Sequence, residues 1–106
     1  MATGRLGTAN LAANALTSLY IVPSNTFTVL TLSMCNRSAA IITARVAIAT
    51  SSTPQDAEYI EYDIQIPANG VLERTGIVMK ANEILVVRSS AVDVSAVCYG
   101  IETNVA

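Results

Sequence analysis

The chain has 106 residues, of which 52% are hydrophobic and 13% charged, with a net charge of -2. That length fits one domain. With about a quarter of residues charged in ordinary soluble domains, this surface must be unusually neutral, which lowers the desolvation cost of packing copies of the chain together. Six scattered cations exclude a counterion-release grip on nucleic acid, and one Phe with no Trp leaves few platforms for stacking bases.

From Leu6 to Asn36 no side chain is charged, yet Thr, Ser, Asn and Pro interrupt the apolar residues too often for a membrane span. Residues 1–14 are poor in bulky side chains and rich in Ala, Gly, Asn and Thr. They are predicted to form an extended arm that orders only against a partner, and Arg5, Leu6 and Leu11 are the candidate contact residues. Met1 to Arg5 carries one cation with no continuous apolar core behind it, which is not a secretory pattern and predicts synthesis in the cytoplasm.

A period of two dominates from Leu16 onward and marks a β domain over 15–106. Leu16 to Val22 reads as a strand that Pro23-Ser24-Asn25 ends. Thr26 to Cys35 follows, with Leu30, Leu32 and Met34 as its core face. After a turn at Asn36-Arg37-Ser38 comes Ala40 to Ala49, whose Ile42, Ala44, Val46 and Ile48 oppose a wetter side bearing Arg45. The polar run Ser51 to Asp56 is a surface loop. Tyr59 to Ile66 then alternates, with Ile60, Tyr62, Ile64 and Ile66 predicted inward and Tyr59, Glu61, Asp63 and Gln65 outward.

Pro67-Ala68-Asn69-Gly70 predicts a tight turn into a return strand from Val71, a hairpin that sets Ile66 against Leu72. Ile84 to Arg88 is short and apolar enough for a buried strand. The last strand, Val92 to Glu102, sets Val94, Ala96 and Cys98 opposite Val97, Tyr99 and Ile101. Short strands about ten residues apart, with no helix of useful length, predict an antiparallel two-sheet sandwich, of the jelly-roll type, carrying the N-terminal arm.

The chain has no histidine, no Gly-x-Ser-x-Gly elbow, a single lysine at Lys80 and no phosphate loop, so no familiar catalytic constellation is present and the protein is expected not to be an enzyme. Two cysteines cannot complete a four-ligand metal site without histidine. Cys35 and Cys98 are expected to be buried thiols, and their spacing leaves open whether they meet. The acidic group Asp56, Glu58, Glu61 and Asp63 lacks the spacing and the turn glycine of an EF-hand and reads as a solvated strand face. No cofactor is expected. The sequon Asn36-Arg37-Ser38 is read as a chance match.

Glu58 to Asp63, Ile66 to Gly76, Ala81-Asn82-Glu83 before Ile84 to Arg88, the ending Tyr99-Gly100-Ile101-Glu102 and the opening Leu19-Tyr20-x-Val22-Pro23 together resemble the small β-sandwich modules of tailed-bacteriophage virions. These include capsid decoration, or cement, proteins and parts of head or tail fibres. The resemblance implies a symmetric homo-oligomer, often a trimer, that binds the major capsid protein or another virion protein, and no catalytic residues; composition and patterning predict neither nucleic acid nor membrane as a partner. A chain without shaft or attachment segments favours a decoration protein located in the virion. The alternative is a fibre module that binds a receptor on the host surface.

Overall fold

A computed structural model describes residues 2–105. Along them run β1 (Thr3–Leu11), β2 (Thr17–Ile21), β3 (Thr26–Asn36), β4 (Ile42–Ala49), β5 (Tyr59–Ile66), β6 (Val71–Met79), β7 (Ile84–Ser89) and β8 (Val94–Asn104). One 3-10 turn, Asp56–Glu58, precedes β5. The strands form two four-stranded sheets, ordered β1-β8-β3-β6 and β2-β7-β4-β5, and every named pair is antiparallel. First pairs with last, second with seventh, third with sixth and fourth with fifth. A long hairpin rolled so that its arms alternate between two sheets produces that order, and it defines a jelly roll.

The inward phase of each strand supplies the core. Leu30, Leu32 and Met34 from β3 meet Val46, Leu85 and Val87 from the other sheet, and Val94, Ala96 and Cys98 close the layer from β8. The fill is mostly small and branched, so the sheets lie close, and the shortest extent of the molecule is 19 Å. Asn and Asp, which tolerate positive φ, set the connections: Asn14, Asn25, Asn69, Asn82 and Asp93 each take φ between 56° and 70°.

Three expectations are corrected. Residues 1–14 are not a free arm, because Thr3–Leu11 is the edge strand β1, paired with β8 from Thr3 opposite Ile101 to Leu11 opposite Val94; Met1 lies outside the described residues. Gly7 permits this, since a Cβ there would sit 2.3 Å from the Leu19 carbonyl oxygen. Next, β5 and β6 are not a hairpin: the Pro67–Gly70 turn carries the chain from one sheet to the other. Finally, Tyr62 is 59% exposed. Asp63 takes φ 56° and the β4–β5 ladder is bulged, so the alternation breaks between Ile60 and Ile64.

Candidate interaction surface

The three candidate contact residues separate. Arg5 is exposed on the outer face of β1, level with Tyr99. Leu6 is half-buried against the core, and Leu11, at 3% exposure, belongs to the core itself. Leu11 is therefore corrected from a contact residue to a packing residue of the core between the two sheets.

The outer face of the β1-β8-β3-β6 sheet has a row that alternation alone does not assemble. Val78, Val29 and Ile101 stand directly opposite one another on β6, β3 and β8 and are 64%, 44% and 56% exposed. Cross-strand neighbours on one face lie about 5 Å apart, so they form a continuous apolar strip. Among the described residues the strands of this face carry two charges, Arg5 on the β1 edge and Glu73 on the β6 edge, and Arg37, just past the end of β3, adds a third by reaching across to Asn10 on the β1 side. Tyr99 lies between Arg5 and Glu73 and its hydroxyl donates to Glu73 Oε2 at 3.4 Å.

The outer face of the other sheet is occupied by its own side chains. Ala47, Ala49 and Val86 are buried there with Tyr59 and Ile84 packed against them. Arg45 lies 4.1 Å from the Tyr62 ring centroid and donates to Asp63 at 2.7 Å, which holds the Asp63 carboxyl below the usual carboxylate range. Tyr59 and Tyr62 meet edge to face at 5.1 Å. Glu61 instead reaches around the sandwich edge to Arg74 of β6 at 2.5 Å. The acidic group read from the sequence is thus dispersed: Glu61 and Asp63 each face an arginine, and Glu58 accepts from the backbone of Thr50 and Gln55.

Backbone bonds tie the connections at each end of the sandwich. At one end Asn36 N donates to Gly70 O, Asn69 N to Ser38 O, Arg37 N to Asp93 O, and Asn14 N to Ser89 O. This end is built from Ala12 to Leu16, Arg37 to Ile41, Pro67 to Gly70 and Ser90 to Asp93, with Ile41 and Val92 more than half exposed. The opposite end carries Asp56, Glu58, Lys80 and Glu83.

A buried polar network holds each end. At the small-residue end the Asn36 amide donates to the carbonyls of Ala40, Pro67 and Ile66 at 2.8, 3.0 and 3.2 Å, while its oxygen accepts from Ser38 N and Oγ. Fully buried and committed to these partners, Asn36 is closed to glycan attachment in the folded chain. At the charged end Tyr20 donates its hydroxyl proton to Glu102, so Thr28 must donate to the tyrosine oxygen at 2.8 Å. The backbone N–H of Ala2 donates to the other Glu102 oxygen at 2.9 Å. Burial, reinforced by Glu102, pushes Tyr20 up to about 12, and the Tyr20 hydrogen bond holds Glu102 below its ordinary value.

Burial raises the Cys98 thiol to about 11, which suppresses its thiolate. Cys35, expected to be buried, is exposed because it takes the outward phase of β3, so the two thiols occupy opposite faces of their sheet. No cluster of three or more His, Cys, Asp or Glu side chains that could hold a metal occurs among the described residues, nor does a pocket. No protein-family model matches the chain, and no curated protein matches it.

Proposed function

We propose that the protein is a non-enzymatic bacteriophage virion component, a capsid decoration protein that binds the assembled head as a homo-oligomer and reinforces contacts between shell subunits. The observation that carries this reading is the division of the surface. Arg45, Asp63, Glu61 and Arg74 are engaged within the molecule, while apolar side chains stay exposed along one sheet face and at the small-residue end. Such a surface fits repeated contacts that are weak singly and strong together on a multivalent shell. The resemblance of the strand ends and turns to virion modules supplies the context. In this reading the partners are the chain itself and the major capsid protein, and the action is binding alone. The protein is made in the host cytoplasm and resides in the virion.

The head contact is assigned to the end bearing Ile41 and Val92, in place of the arm expected from the sequence. Localising the chain on purified particles by electron microscopy tests this. Copies spread over the head, lost on Ile41→Asp with Val92→Asp while the melting temperature is kept, are the expected result. A few copies at the tail instead would favour the fibre reading, in which the exposed Tyr62 contacts a host receptor. Absence from particles would end both.

A further inference from the structure

We infer that the outer face of the β1-β8-β3-β6 sheet is covered by a second copy of this chain, packed face to face about a twofold axis parallel to the strands, with Arg5 of each copy over Glu73 of the other. The charges select the axis. Arg5 lies on one edge of the sheet and Glu73 on the opposite edge. A twofold along the strands exchanges the two edges and sets opposite charges together. A twofold across the strands would stack each edge on itself and set Arg5 on Arg5. Arg5 is level with Tyr99 and Thr31, and Glu73 with Ser33, two residues further along β3. That offset of about 7 Å is within the span of an arginine side chain.

The apolar strip fits the same axis. Val78, Val29 and Ile101 run across the strands, so the rotation lays the strip of one copy along that of the other. The rest of the face mixes Thr and Ser with Phe27, Val71, Val97 and Tyr99, which adds apolar area to a contact between sheets about 10 Å apart. Size is also adequate. Four strands about 4.8 Å apart, with β3 and β8 each eleven residues long, present about 700 Å², close to the roughly 800 Å² that each partner contributes to a stable interface. Arg5 has no ion-pair partner among the described residues, so the contact would cost it no internal bond.

This inference rests on the self-association in the proposed function but not on the capsid, and its twofold contact departs from the trimer that the resemblance implies. The test is light scattering and analytical ultracentrifugation of the full chain in solution without particles. The expected mass is an even multiple of the 11.1 kDa chain; a monomer or a trimer at micromolar concentration overturns the proposal. Arg5→Glu alone and Glu73→Arg alone should each weaken pairing about tenfold, because every contact occurs twice in a twofold pair. The double variant R5E/E73R should recover pairing to within about threefold of the wild type. Single reversals without effect, or a double variant that does not recover, overturn it. All variants change exposed positions, and thermal melting verifies their folds. An intact pair that fails to bind heads would sink the decoration reading and leave the pair standing.

Discussion

Asn36 shows how much one side chain can organise. Its amide hydrogens and oxygen serve five partner atoms at Ser38, Ala40, Ile66 and Pro67, and its own burial leaves the carboxamide no water to replace them. Asn36→Ala should therefore cost about 3 kcal/mol and lower the melting temperature by roughly 10 to 20 °C. Asn36→Asp preserves the shape but turns a donor toward three carbonyls into an acceptor. It should be at least as damaging at neutral pH, and a mild effect in calorimetry would mean that packing alone holds the turn. At the other end, Tyr20 and Glu102 give stability a defined pH window. Tyr20 keeps its proton to about 12 when folded, against about 10 unfolded, so its contribution is complete below pH 10 and is lost as pH rises toward 12, by about 2 to 3 kcal/mol. Glu102 is shifted down; its contribution is present above the unfolded carboxyl value of about 4.3 and is lost as pH falls through the folded one. The stability difference between wild type and Tyr20→Phe should thus peak between about pH 6 and 9 and shrink on both sides. A difference constant from pH 3 to 12 in denaturant titrations would contradict the network.

At the scale of elements, strands with bulky inward residues are legible and strands without them are not. The core phase of β3 follows from alternation, because Leu30, Leu32 and Met34 face a dry interior, whereas both sides of β8 are apolar and the burial of Val94, Ala96 and Cys98 is decided by packing. β1 is illegible because Gly4, Gly7, Thr8, Ala9 and Asn10 present no apolar period, and its pairing partner lies at the far end of the chain. The missing hairpin has a different cause. Pro67-Ala68-Asn69-Gly70 specifies a reversal of direction but not whether the next strand stays in the same sheet. That choice depends on the distant Asn36, whose side chain holds Ile66 and Pro67 and whose N–H holds Gly70. In β5 the departure is local: an Asp in the left-handed region at 63 is a bulge that no two-residue period announces. The interaction face was legible only in its parts. Val29 is readable as an outward residue, whereas the outward phase of Val78 and Ile101 and the union of the three into one strip are properties of strand order.

The molecule as a whole closes through its two terminal strands. β1 pairs with β8, and β8 pairs with β3, so the ladder that joins the N-terminal strand to the C-terminal one is also the wall over much of the core. A free arm could be removed without consequence for the fold, whereas an edge strand of a jelly roll could not. Deleting residues 1–11 would expose the β8 ladder, strip Leu11 from the core and uncover the side of β2 that Gly7 approaches at Leu19. Loss of one buried leucine alone costs about 2 to 5 kcal/mol, and whole domains are stable by only about 5 to 15 kcal/mol. The truncated chain should therefore show no cooperative thermal transition at 25 °C and above, with its near-ultraviolet tyrosine dichroism collapsed. Because the pairing of β1 with β8 closes nearly the full length of the chain, it is also the contact most costly in loop entropy, and that cost is met only once the β3–β8 wall exists. Addition of a peptide covering residues 1–14 should then restore the dichroism of the truncated chain by strand addition. A truncated chain that melts as the wild type does would return these residues to the role of a free arm.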